Sequence, residues 1–206
     1  MVTPAPPVPF RPRESSLPEG TALYRVHHNS RLGNVFNPGV GGATRFAFFG
    51  EPPIATLYAA ESEQAAVCET LLHDVPVRGG NVLPRSYRSS VASKLTTRRE
   101  LKLASFLGTG LRALKIEASQ LTATEAADYP ATVRWAEAAY DAGFDGIEYM
   151  SHRCNSDRSF SFFGGRVTAD DFSVSADYGR VFGIVGCDLD WLIDFCAPLH
   201  VDVLLL

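Results

Sequence analysis

Five side chains have types and spacings suited to chemistry on a charged small molecule. Glu69 follows Ala65 by four positions and precedes Leu72 by three, which sets its carboxylate on the apolar stripe of a helix. A carboxylate placed there is costly unless it is paired or hydrogen-bonded. Glu69 is therefore either half of a core ion pair with an arginine or an acid that serves catalysis or holds a ligand. Arg25 interrupts the apolar run Leu23 to Val26, and Arg45 opens the next run just after a glycine-rich stretch. The planar, permanently charged fork of arginine matches diphosphate or carboxylate, so the two form a candidate phosphate clamp. The plainer alternative is surface or structural pairing. Tyr58 closes an apolar run just ahead of the Glu69 helix, as a core tyrosine or as an aromatic face for a flat ring with its hydroxyl left free to hydrogen-bond. Ser151 follows the run Gly146 to Met150 at a point where a loop leaves a strand, a position that suits capping as well as catalysis.

Several other chemistries lack their signatures. No GxSxG elbow or convincing Ser-His-Asp arrangement is present, which disfavours a serine hydrolase. His27, His28, His73, His152 and His200 lack HExxH spacing, and Cys68, Cys154, Cys187 and Cys196 lack CxxC spacing, so neither a catalytic nor a structural metal is expected. GxGxxG and GxxxxGK[ST] are also absent, against Rossmann and P-loop nucleotide binding.

The elements that must position these residues can be read from pattern. Ala22 to Val26 reads as a strand, and His27 to Thr44, with Gly33, Gly39, Gly41 and Gly42, as a long irregular loop. Arg45 to Phe48 and Ile54 to Ala59 are expected to be strands, followed by a helix from Glu63 to His73 capped by Ser62. Strands are expected over Tyr87 to Leu95 and Leu101 to Ala104, and a short helix near Gly110 to Leu114. A second helix starts at Pro130, passes through Trp135 and stops at Gly143, and a strand from Gly146 to Met150 follows. Phe160 to Phe163, Phe172 to Ser175 and Val201 to Leu205 are further strands, with a helix over Asp188 to Phe195. Helices and strands mix without regular βαβ alternation, which predicts an α+β fold.

Composition narrows the class. A chain of 206 residues with 46% hydrophobic and 20% charged residues suits one folded domain with a sizeable core. The six prolines among residues 1–20 predict an extended, solvated arm outside the core, with the domain occupying 21–206. A net charge of -4 argues against a nucleic-acid partner, and the absence of an apolar run near 20 residues argues against a membrane span. A cytoplasmic protein with reduced thiols is expected.

Taken in order, Leu23-Tyr24-Arg25-Val26, Gly41-Gly42-Ala43-Thr44-Arg45-Phe46, Leu57-Tyr58-Ala59-Ala60, Ala65-Ala66-Val67-Cys68-Glu69 and Phe144-Asp145-Gly146-Ile147-Glu148-Tyr149-Met150-Ser151 resemble the RES domain family, over roughly Thr21 to Phe163. The sequence departs from the family's usual second block. Ala43 and Thr44 stand between the glycines and Arg45, and Ala47 occupies the place of an Asn.

The resemblance implies a single α+β domain of mixed sheets and flanking helices, similar to ADP-ribosylating toxins. It implies a toxin of a toxin-antitoxin pair that depletes NAD by hydrolysis or, with inorganic phosphate as co-substrate, by phosphorolysis. NAD is then a substrate rather than a cofactor. An antitoxin protein and a homodimer are the implied partners. By position Arg25, Glu69 and Ser151 become the catalytic residues, and Arg45 and Tyr58 substrate-binding ones. Departure of nicotinamide leaves oxocarbenium character at C1 of the ribose, which Glu69 would face. Arg25 and Arg45 would hold the diphosphate, Tyr58 the nicotinamide ribose or ring, and Ser151 the nicotinamide end. Two other readings remain: transfer of ADP-ribose to a macromolecule, and an inactive domain that only binds a nucleotide or a partner.

Overall fold

The computed structural model of the chain describes residues 2–205. In chain order the strands and helices are β1 (Arg13–Leu17), β2 (Ala22–His28), β3 (Thr56–Ala60), α1 (Glu63–Thr70), β4 (Gly80–Val82), α2 (Pro84–Tyr87), β5 (Ser90–Thr97), β6 (Leu101–Phe106), α3 (Thr109–Ala113), α4 (Ala118–Leu121), α5 (Tyr129–Asp141), β7 (Gly146–Met150), β8 (Arg158–Phe163), β9 (Phe172–Val181), α6 (Cys187–Cys196) and β10 (Val201–Val203).

Phe160 and Phe162, two apart on β8, stack at 5.9 Å on one face of a sheet, while Phe163 packs into a separate cluster. A strand covered on both sides belongs in the interior of a sheet. β8 accordingly sits between β7 and β3 in an eight-stranded sheet of order β1-β6-β7-β8-β3-β2-β5-β9. β6 and β7 run parallel, and every other neighbouring pair is antiparallel. β4 and β10 form a separate parallel pair. The β6–β7 crossover carries α5, whose Trp135 is fully buried with Phe106 and Ile147. α1 and α6 bury Val67, Leu189 and Leu192 in a second cluster. This is the α+β fold that the mixed pattern predicts.

Local signals account for most of the elements. Ser62 accepts a hydrogen bond from the Ala65 N–H at 3.1 Å and caps α1, which ends at Thr70 rather than at His73. Pro130 lies in the first turn of α5, and Gly143 stops that helix at φ +86, a left-handed conformation that glycine reaches without penalty.

Three expectations are corrected. Arg45 to Phe48 is not a strand but a tight turn joined by the Thr44–Ala47 backbone bonds. Phe46 and Ala47 are consecutive and both fully buried, so the segment lacks the alternation that a one-sided strand needs. Tyr87 closes the single turn α2 rather than opening β5, which starts at Ser90. Residues 2–20 are extended and mostly exposed, as an arm would be, but they are fastened along the domain rather than free of it. β1 pairs antiparallel with β6 from Arg13 opposite Ser105 to Leu17 opposite Leu101, and Leu17 is buried in the core. Phe10 meets Phe106 and Trp135 edge-on, and Trp135 donates its indole N–H to the Pro4 carbonyl at 2.9 Å. Prolines withhold donors, yet their carbonyls still accept, so the segment packs as an extended strap.

Leu17→Ala is expected to lower the free energy of unfolding by about 3 kcal/mol, the usual cost of truncating a buried leucine. The urea midpoint of the purified variant measures this, and an unmoved midpoint would mean that the segment contributes nothing to the core.

Candidate active site

The Ser62 cap fixes the start of α1, and its last turn carries Glu69, whose side chain retains 15% exposure. Three donors approach the carboxylate. Ser151 donates its hydroxyl to Oε1 at 2.7 Å, the Arg153 N–H reaches the same oxygen at 3.4 Å, and Arg45 Nη1 lies 3.8 Å from Oε2. These donors come from two separate segments, the loop after β7 and the turn that carries Arg45, so the anion is held in place and its charge balanced. Ser151 itself is fully buried, and its oxygen also accepts the Cys154 N–H at 3.0 Å.

Arg25 rises from β2 and donates through Nη1 to the Gly33 and Val35 carbonyls at 2.8 and 2.7 Å. It thus pins the glycine-rich loop against the sheet. Gly33 is needed for that approach, since a Cβ there would lie 2.7 Å from the Ser93 side chain. Burial, then the charge of Arg31, lowers the Arg25 pKa to about 10, which leaves it a cation at neutral pH. Arg45 is buried, lies 5.8 Å over the Tyr129 ring, and has an Nε–H without a partner among the described residues.

Tyr58 on β3 uses its hydroxyl to hold the turn that carries Arg45. That oxygen accepts the Phe46 N–H at 3.1 Å and shares a hydrogen with the Thr44 hydroxyl at 2.9 Å. Burial raises the pKa values of Tyr58, Tyr129 and Tyr149, so all three stay phenols at neutral pH.

Arg25, Arg45, Tyr58 and Glu69 converge on one cavity of about 240 Å³. Two arginines against one carboxylate give its wall a positive excess suited to a phosphorylated ligand. Ser151 is not part of the lining. It is fully buried beside Glu69, with its hydroxyl bonded to the carboxylate and to the Cys154 N–H. The Tyr58 hydroxyl is likewise occupied rather than free. Ala47, the departure in the second block, is fully buried and does not line the cavity.

His73, Tyr129 and Tyr149 also line the cavity, although none was singled out from the sequence. Tyr129 stands directly before Pro130 and reads as a helix-start residue. His73 lacks metal-ligand spacing and lies three residues past the end of α1. Tyr149 alternates with Glu148 on β7, and that alternation was the one available signal for its facing. Among the described residues no group of three or more His, Cys, Asp or Glu side chains is placed to hold a metal ion.

A family model described as the RES domain matches residues 22–180, a span that contains all five candidate residues. No curated protein matches the chain. Among solved structures, the fold is similar to that of a chain in the crystal structure of the M. tuberculosis MbcT-MbcA toxin-antitoxin complex. The likeness has a TM-score of 0.57 at 13% identity and covers 80% of this chain and 85% of that one. At that identity it is a likeness of fold.

Tyr58→Phe would strand the buried Phe46 N–H and the Thr44 hydroxyl, and is expected to cost about 2 kcal/mol of stability. Denaturant unfolding of the variant measures it; parental stability would show that the turn holds without this phenol.

Proposed function

Because the chain belongs to the RES domain family, we propose that it is an enzyme that cleaves the nicotinamide-ribose bond of NAD, and that it acts as the toxin of a toxin-antitoxin pair. The observation that carries this reading is the convergence of Arg25, Arg45, Tyr58 and Glu69 on one cavity, with Ser151 bonded to Glu69 at 2.7 Å.

The chemistry follows from charge. When the C1–N bond breaks, its electron pair leaves with the nicotinamide nitrogen, which becomes neutral, and positive charge builds on the ribose C1 and ring oxygen. An anion fixed in advance beside that charge lowers the barrier without having to reorganise as the bond breaks. Glu69 is such an anion, since Ser151 and the Arg153 N–H orient Oε1 before any substrate arrives. In this reading Ser151 is a positioning residue. Arg45 and the Arg25 cation face the diphosphate, and Arg25 also keeps the loop at Gly33 to Val35 in place. The Tyr58 ring packs against the nicotinamide ribose. In this reading the cavity, about 240 Å³, takes the nicotinamide-ribose end and the adenosine end stays outside it.

The fold likeness to a chain of a toxin-antitoxin complex supports the toxin reading, with an antitoxin protein as partner and cytoplasmic NAD as target. Among the described residues no helix is long and apolar enough to cross a membrane.

Purified protein is expected to consume NAD, and Glu69→Ala to lower kcat by about 10³-fold, the usual scale for loss of one preorganised charge-stabilising group. Ser151→Ala should lower kcat with little change in KM. Chromatography of the products decides the acceptor: ADP-ribose alone marks water, a phosphorylated ADP-ribose marks phosphate, and label retained on a macromolecule marks transfer. Equal turnover in the parent and Glu69→Ala would refute the assignment.

A further inference from the structure

Resting on the NAD-cleaving reading, we propose that Tyr129, His73 and Asp74 form a proton relay that activates water, so that water is the acceptor in this cavity.

An anionic acceptor attacks without losing a proton, whereas water must shed one as its oxygen bonds to C1. The cavity therefore needs a base only if the acceptor is neutral. Glu69 is a poor geometric candidate, because Ser151 and the Arg153 N–H already occupy Oε1 and Arg45 stands by Oε2. Tyr24, Tyr58, Tyr129, Tyr149, His73 and the two arginines are the other titratable groups on the lining. Arginine has no acceptor to offer.

His73 is wired for the task. Its Nδ1 lies 2.7 Å from Asp74 Oδ1 and its Nε2 lies 3.0 Å from the Tyr129 hydroxyl. With the hydrogen on Nδ1, toward the Asp74 oxygen, Nε2 is an acceptor and the Tyr129 hydroxyl donates to it. That assignment leaves the lone pairs of the Tyr129 oxygen open to a hydrogen from water. The Tyr129 ring is in turn held under the Arg45 guanidinium, 5.8 Å away, beside the carboxylate that faces C1 in the proposed reading.

The step balances. The water oxygen bonds to C1 as the C1–N pair leaves with nicotinamide. One water proton passes to the Tyr129 oxygen while the Tyr129 proton passes to His73 Nε2. The imidazolium so formed faces the exposed Asp74 carboxylate and, at 34% side-chain exposure, returns its proton to solvent. Tyr129 is thus restored within the step and never has to ionise.

The test uses the full chain, NAD and product chromatography with and without inorganic phosphate. Tyr129→Phe keeps the ring under Arg45 and removes the relay. His73→Gln keeps a side-chain donor and acceptor but cannot take up a proton. Both are expected to lower kcat for ADP-ribose formation about 10²-fold at unchanged KM, the usual scale for loss of a general base. Free imidazole should restore turnover to His73→Ala and not to Tyr129→Phe. Full kcat in both Tyr129→Phe and His73→Gln overturns the relay, as does a loss in His73→Ala that imidazole leaves unrestored. NAD consumption that requires phosphate and yields no ADP-ribose overturns the relay while leaving the NAD-cleaving reading intact. Absence of NAD loss from the unaltered protein overturns that reading and the relay together.

Discussion

The hydrogen bond from Ser151 to Glu69, at 2.7 Å, joins residues 82 positions apart and organises the candidate site. One end is the last turn of α1 and the other is the loop leaving β7, so the bond ties a flanking helix to the middle of the sheet. A buried hydroxyl and a largely shielded carboxylate each need such a partner, since either would be costly alone. The remaining features of the site depend on where this bond leaves the anion. Arg45 approaches its second oxygen, Arg45 in turn lies over Tyr129, and Tyr58 holds the turn on which Arg45 is carried.

A cavity walled by four tyrosines, three of them held as neutral phenols by burial, and by two cations favours an electrostatic rather than a nucleophilic style of chemistry. Nothing on the wall other than Glu69 carries negative charge, so a positive centre generated inside has one place of lowest energy. The arginines differ in duty. Arg25 spends one nitrogen on the loop carbonyls and acts as a brace as well as a charge. Arg45 has a buried N–H without a partner among the described residues and is the less satisfied of the two.

Much of the fold was legible from periodicity and punctuation. Ser62 as a cap, Pro130 and Gly143 as the bounds of α5, and the apolar run Gly146 to Met150 as β7 are local signals whose meaning tertiary contacts did not change. The failures were places where a side chain far away settled the backbone. Arg45 to Phe48 has the residue types of a strand, but the Tyr58 hydroxyl supplies its Phe46 N–H with a partner that a strand would have sought in a neighbouring strand. The prolines of the first twenty residues signalled extension but not attachment, because nothing local reveals that Trp135 awaits the Pro4 carbonyl. Within the site, the motif order marked Arg25, Arg45, Tyr58 and Glu69 as neighbours. It could not show that Ser151 faces Glu69 instead of the cavity, since both placements use the same spacing.

β9 closes one side of the sheet, and its pairing with β5 is broken between Ser93 and Leu95, where Val174 and Gly179 are the flanking partners. The four residues from Ser175 to Tyr178 thus bulge out opposite Lys94 alone, and the excursion carries Tyr178 onto Glu63 at the start of α1. A ten-residue outermost strand would otherwise offer a straight ladder of donors and acceptors to any passing chain. Interrupted in this way, it presents two short, differently twisted stretches. That break shortens the continuous margin along which another chain's backbone could pair.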